Sequence, residues 1–217
     1  MKIHIITIFP ESFNSYFSSS IIWKAKEKWL FELELYKLNN FSDDKFKRVD
    51  SKAYWMHWQV LSPEPLSKSI EYIFNIVWKK IPVIYMSPSW DLLTQKKVEM
   101  YYEKLVDDFI IICGHYEWID ERIIDIYVDY KISIWEYVLS SWELSASVFL
   151  DSFIRHIPWV LWNIKSLEED SFSHKLNRQK EYPIYTRPEI FMWKKVPNIL
   201  LSGNHKKIKE WKINNLS

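Results

Sequence analysis

Residues 108–144 read DFIIICGHYEWIDERIIDIYVDYKISIWEYVLSSWEL. Two apolar runs stand out, "DFIIIC" at 108–113 and "YKISI" at 130–134, and "IDERIIDIY" between them has the spacing of a short helix. Runs that are apolar throughout, rather than at every second position, suit strands buried on both faces, as in a parallel sheet. Strand, helix and strand in this order make a βαβ unit. Each strand is stopped by a turn that contains tryptophan, "GHYEW" at 114–118 and "WEYVLSSW" at 135–142. The largest side chain thus stands where a tight turn ordinarily takes the smallest.

The same alternation extends outward. "KIHIITIF" reads as a first strand, Ser12–Ser20 as a short helix, "IIWKAKEKWL" as a helix and "FELELYKL" as a half-exposed strand. Residues 39–58 are polar and irregular, a long loop of the kind that tends to be functional. Ser62 caps a helix that has Pro63 at its first position and runs to about Val77. "PVIYM" is a further buried strand, stopped by "SPSW" at 87–90, and Thr94–Val106 is a helix. Beyond the opening stretch, Glu143–Ile157 forms a helix with Leu144, Val148, Phe149, Phe153 and Ile157 on one face. The pattern predicts an α/β fold with a largely parallel sheet. Ligands of such sheets bind beyond the carboxyl ends of the strands, so the loops 87–90, 114–118 and 135–142 should cluster at one edge. A first domain over 1–158, a linker over 159–171 and a small, mostly helical segment over 172–217 complete the chain.

Composition narrows the class. The 217 residues are 48% apolar, enough for a sizeable core, yet no stretch approaches the ~20 apolar residues of a membrane span. "MKIHIITIFPESF" lacks a small-residue cleavage site and reads as a strand, not a signal peptide. A lone cysteine, Cys113, excludes an internal disulfide framework and suits the reducing cytoplasm. Net charge is +1, but residues 1–171 carry −6 and residues 172–217 carry +7. A basic segment on an acidic body suits a polyanionic partner, although from charge alone a solvated lysine-rich tail is the slightly better account. The histidines show no metal-ligand spacing with Cys113 or with each other, so no zinc site is expected.

Five segments occur in the order "CGHYEWIDER", "SIWEYVLSSWEL", "EEDSF", "YTRPE" and "LSGNH", with "IFPESF" near the start and "PEPL" at 63–66. Together they resemble the bacterial tRNA (guanine-37-N1)-methyltransferases, the TrmD family of knotted SPOUT methyltransferases, over nearly the whole chain. The resemblance implies a SPOUT trefoil-knot fold with a small helical C-terminal domain, and a homodimer whose active site forms between subunits. It implies S-adenosylmethionine as methyl donor, bound by Tyr85, Ser87 and Pro88, by Gly114, Tyr116 and Glu117, and by Ser133, Ile134, Trp135, Glu136, Tyr137, Val138, Leu139, Ser141 and Trp142. In the family Glu117 lies near the sulfonium and helps place a magnesium ion (Mg2+). Ser141, Ser145 and His115 stand where the family has glycine, usually proline and usually arginine.

Methylation at N1 of guanine requires removal of the N1 proton and stabilisation of the charge that builds on O6. The resemblance assigns the first task to Asp170 and the second to Arg155. Read without it, Glu168–Asp170 is an acidic solvated linker and Arg155 a helix-surface charge. "SGNHKKIKEWK" (202–212) would grip phosphates of the tRNA anticodon stem-loop, although family members commonly continue with further helix. A SPOUT methyltransferase with another RNA target and a non-catalytic RNA-binding protein remain the alternatives.

The departures from the family follow one rule. Tryptophan replaces a family glycine at 23, 29, 55, 58, 90, 118, 135, 142, 159, 162 and 193. Trp211 matches a family tryptophan, and Trp78 falls in a variable loop. The chain has 2 glycines where an average of about 7% gives roughly 15. It has 13 tryptophans, and the two counts together make 15. This is the pattern left by a gene that uses UGA for glycine when UGA is translated as tryptophan, so the native residue at these positions is expected to be glycine.

Overall fold

The structure is a computed structural model that describes residues 1–55, 57–115, 118–162 and 166–216. Its centre is a five-stranded parallel sheet in the order β2-β1-β6-β5-β8. These strands are β1 (Lys2–Thr7), β2 (Glu32–Lys37), β5 (Val83–Met86), β6 (Phe109–Ile112) and β8 (Tyr130–Ile132). β5 and β6 are buried at every position, as expected for unbroken apolar runs. Alternate side chains enter opposite faces. Ile84, Met86, Phe109 and Ile111 pack against α1 (Ser20–Glu27), α3 (Gln95–Lys104) and α5 (Trp142–Ile154). Val83, Ile110 and Ile112 pack against α2 (Pro63–Val77) and α4 (Glu121–Tyr127). The result is a helix–sheet–helix sandwich with a core on each face.

Helix ends follow local chemistry. Thr94 caps α3 by accepting from the Lys97 N–H (3.3 Å), and Asp120 caps α4 by accepting from the Arg122 N–H (3.0 Å). Ser62 precedes α2 but makes no side-chain cap; its hydroxyl donates to Ser51 Oγ at 3.2 Å.

Three expectations need correction. Ser12–Ser20 is not a helix but two 3-10 turns, Pro10–Phe13 and Tyr16–Ser18. Its serines compete with a helix for backbone carbonyls: Ser18 donates to the Asn14 carbonyl and Ser19 to that of Tyr16. The irregular stretch 39–58 holds β3 (Asp50–Lys52), which pairs antiparallel with β4 (Gln59–Leu61), and β4 in turn pairs with β7 (Trp118–Ile119). That small sheet depends on partners distant in sequence. On α5, Phe149 and Phe153 are buried with Ala146, Leu150 and Ile154, whereas Leu144 and Val148 are exposed. The buried stripe is rotated from the expected one because the helix packs on the sheet through its small and aromatic residues.

The chain divides into two compact units, Met1–Trp162 and Asn163–Ser217. The second holds α6 (Ser166–Glu169), an antiparallel pair β9 (Ile190–Phe191) and β10 (Lys194–Lys195), α7 (Asn198–Leu201) and α8 (His205–Asn214). Asn204 caps α8 by accepting from the Lys207 N–H (3.1 Å). Among the described residues no helix is long and apolar enough to cross a membrane.

Candidate active site

β5 and β8 run parallel, so their carboxyl ends lie at one edge. The loops that leave them are tied together by backbone hydrogen bonds. Ser87 N–H donates to the Ile132 carbonyl (2.9 Å), Leu93 N–H to that of Ser133 (2.7 Å), and Ser133 N–H to that of Asp91 (3.2 Å). The Ser133 hydroxyl donates to the Trp135 carbonyl at 3.0 Å and so bends the second loop at its start. Between the loops lies a cavity. Ser87 and Pro88 form one wall, Ser133, Ile134 and Trp135 a second, and Tyr137, Val138, Leu139, Ser141 and Trp142 close the rest. Glu136 is exposed and does not line it. Tyr116 and Glu117 lie outside the described residues.

Tyr85 is fully buried beneath this edge, its ring stacked on Trp142 (centroids 5.9 Å apart, planes at 23°). Burial pushes its phenol well above the ordinary value, so Tyr85 is neutral. Gly114, at the end of β6, abuts both rings: a Cβ there would stand 3.4 Å from Tyr85 and 3.5 Å from Trp142.

Four residues around the site were not among those expected. Ile132 and Ser145 line the cavity, and Thr7 and Glu143 form a buried clamp beside it. Glu143 is 2% exposed. One of its carboxylate oxygens accepts from the Thr7 hydroxyl (2.5 Å) and the other from the Ser141 hydroxyl (2.9 Å). The clamp joins the end of β1 to the cavity loop at the start of α5. Burial pushes the Cys113 thiol up, and the nearby Glu143 carboxylate pushes it further, so the thiol stays protonated. The sequence carried no signal for Glu143: it lies on the inward stripe of α5, three and seven residues before the buried Ala146 and Leu150, and that stripe differs from the one the apolar spacing predicts.

Arg155 follows the last turn of α5 in the first unit. It shares a surface hollow of about 270 Å³ with Tyr16, Asp151 and Leu161. There the Tyr16 hydroxyl donates to Asp151 (2.7 Å), and burial with that carboxylate pushes the phenol up to about 12. Asp170 is half-buried directly after α6 in the second unit, where its carbonyl accepts from the Ser173 N–H (3.1 Å). Its neighbours are engaged: Glu168 pairs with Lys175 (2.8 Å), and Glu169 accepts from the Tyr182 hydroxyl (3.1 Å) and pairs with Lys212 (3.5 Å). Asp170 and Arg155 thus belong to different units. Among the described residues no three His, Cys, Asp or Glu side chains group as metal ligands.

The cavity has the location expected for S-adenosylmethionine but not the size. Its volume is about 30 Å³, room for only a few waters, whereas sites for small molecules span roughly 300–1,000 Å³. The indoles of Trp135 and Trp142 form part of its wall. With those side chains present, the residues do not fit the donor.

Known proteins supply the context for this edge. The family model described as tRNA (Guanine-1)-methyltransferase TrmD matches residues 1–217. The tRNA (guanine-N(1)-)-methyltransferase of Clostridioides difficile (strain 630) is 44% identical over 214 residues, 98% of this chain and 90% of that protein. The Bacillus cereus (strain AH820) protein of the same name is 42% identical over 213 residues, 98% of this chain and 85% of its own length. Among solved structures, the tRNA (m1G37) methyltransferase of Aquifex aeolicus superposes with a TM-score of 0.79 at 32% identity, covering 98% of this chain and 88% of that one. The α/β fold with a mainly parallel sheet and its cavity at the carboxyl edge define a methyltransferase domain of the SPOUT class. The chain belongs to the tRNA (guanine-1)-methyltransferase family TrmD, and it is an enzyme that uses a methyl donor of the S-adenosylmethionine type.

Proposed function

We propose that this chain methylates N1 of guanine 37 in tRNA, beside the anticodon, with S-adenosylmethionine as donor. The observation that carries the reading is the meeting of the loops 87–88 and 133–142 around one cavity at the carboxyl edge of a parallel sheet, in a chain that matches the family from end to end. Asp170 takes the N1 proton, and Arg155 holds the negative charge that develops on O6. Arg155 lines an open surface hollow together with the hydrogen-bonded Tyr16 and Asp151, which supports an accessible role for it.

The two groups come from different units of the chain. A homodimer, in which one subunit supplies Arg155 and the other Asp170, is the arrangement we infer. The exposed Leu144 and Val148, one turn apart on α5, support it as an apolar face suited to a second copy. Phosphates of the anticodon stem-loop meet the lysines of α8, which add affinity without base information. Glu117 helps place a magnesium ion, and the enzyme works in the cytoplasm.

The test is transfer of label from S-adenosylmethionine to tRNA transcripts with guanine or adenine at position 37, using chains with tryptophan and with glycine at 135 and 142. Label in 1-methylguanine, lost with adenine 37, is the expected result. Label at another position would move the assignment to a different RNA target. The cavity of about 30 Å³ favours one second reading, a non-catalytic RNA-binding protein. Its mark would be tRNA binding by both chains, with donor binding by neither.

A further inference from the structure

The thirteen tryptophans do not behave as tryptophans. None is buried, and eleven are exposed. Trp162 is 101% accessible and Trp78 93%. Tryptophan carries a large apolar surface and is highly buried on average, so exposure of eleven out of thirteen runs against the hydrophobic force that builds the core.

The backbone adds an independent sign. Three of the thirteen tryptophans have positive φ: Trp29 (57°), Trp78 (57°) and Trp159 (72°). Only six of all the other described non-glycine residues do. The left-handed region costs a residue with a Cβ roughly 1–2 kcal/mol and costs glycine almost nothing. Trp29 stands directly beyond the Lys28 cap of α1. There Leu30 N–H donates to the Ala25 carbonyl (3.1 Å), and Trp29 N–H to that of Lys26 (3.0 Å). That pair of bonds is the Schellman motif, in which the left-handed position is usually glycine. Trp78 terminates α2 in the same conformation (φ 57°, ψ 22°). Trp78 falls in a loop that varies in the family, so only its backbone marks it as a glycine-like position. Gly203, one of the two glycines present, also has positive φ (68°).

Trp211 behaves differently. It lies within α8, half-buried, with its ring 6.3 Å from that of Tyr185. This is where an aromatic residue packs and where glycine would weaken a helix.

We infer that the cell that makes this protein reads the codon behind twelve of the thirteen tryptophans as glycine, Trp78 among them, and that Trp211 alone is tryptophan in the native chain. Glycine then rises from two to fourteen residues, close to the roughly 15 of an average protein this long. At the cavity the consequence is direct. Glycine at 142 removes the indole stacked on Tyr85 and packed against Gly114, and glycine at 135 removes the second. The site then opens where the donor is required. For positions 135 and 142 this consequence rests on the methyltransferase reading; for 29, 78 and 159 it rests on the backbone alone. An exposed aromatic platform for stacking RNA bases would account for exposure, but it has no need of a left-handed backbone.

Peptide mass spectrometry of the full-length protein, recovered from cells that carry the gene, tests the inference. Glycine is expected at 29, 78, 135, 142 and 159, with tryptophan at 211. Tryptophan at 29 or 142 would overturn it, and so would glycine at 211. In parallel, calorimetry with S-adenosylmethionine compares the tryptophan chain with one carrying glycine at the twelve positions. Binding is expected in the glycine chain and its loss in the tryptophan chain. Equal binding by both would refute closure of the site by Trp142 and Trp135. Binding by neither, with glycine found in the native peptides, would leave the codon inference standing and remove the donor-site reading.

Discussion

The interior and the turns of this molecule treat aromatic residues in opposite ways. Seven of the twelve phenylalanines are buried, and Phe13, Phe31, Phe109, Phe149 and Phe153 are at most 1% exposed. None of the thirteen tryptophans is buried. Both side chains are large and apolar, and both gain free energy by leaving water. Folding has therefore sorted most of the phenylalanines by hydrophobicity, whereas Trp29, Trp78 and Trp159 stand where backbone geometry, not side-chain burial, sets the requirement. Positions chosen for backbone freedom are glycine positions.

The largest effect belongs to the interior. Phe149→Ala or Phe153→Ala should cost about 3–5 kcal/mol, read as a fall in the denaturant midpoint at unchanged slope. A loss under about 1 kcal/mol would mean that the core of this face is looser than its burial implies.

Next comes the clamp between interior and cavity. Glu143→Ala leaves the hydroxyls of Thr7 and Ser141 without their shared acceptor. It should cost about 1–3 kcal/mol and weaken donor binding in the glycine-bearing chain more than it weakens tRNA binding. Equal loss of both would reduce Glu143 to a purely structural role.

The turns should respond with the opposite sign. Trp29→Gly should stabilise the chain by about 1 kcal/mol through relief of the left-handed backbone, whereas Trp211→Gly should destabilise it by about 1 kcal/mol or more through lost helix propensity and packing. Both follow from urea midpoints. Two changes of equal sign would break the contrast between Trp211 and the rest.

The smallest effect is a pH dependence within the core. His4 is fully buried, with Nδ1 2.9 Å from the Tyr36 hydroxyl. Burial holds its pKa below the ordinary 6.5, and the Lys2 ammonium adds to this against the opposing Asp108 and Glu34. The unfolded chain binds the proton more tightly, so this contribution is fully present above 6.5 and is lost as the pH falls below it. Urea midpoints should decline from pH 7 to pH 5, and less steeply in His4→Gln.

Much of the frame was legible before any coordinates. "VIYM" and "FIII", short apolar runs each stopped by a turn, read as strands buried on both faces, and the turns that follow were expected to meet at one edge. Ten of the residues expected at the donor site line the cavity there. The strands β3, β4 and β7 were not legible, because two- and three-residue strands carry no periodicity and exist only through partners distant in sequence. Nor was the orientation of α5, whose apolar residues surround the helix so fully that Leu144 and Val148 could be taken for core.

By itself the sequence determined the α/β class, the edge at which the loops converge and the excess of tryptophan over glycine, because run length, periodicity and composition are properties of the chain alone. Only the tertiary structure decided which tryptophans occupy left-handed turns, that Trp78 belongs with them, and that two indoles line the cavity. It also revealed Glu143 joining β1 to the cavity loop. Each of these depends on φ, on burial or on a partner more than a hundred residues away, and none of those quantities exists until the chain has folded.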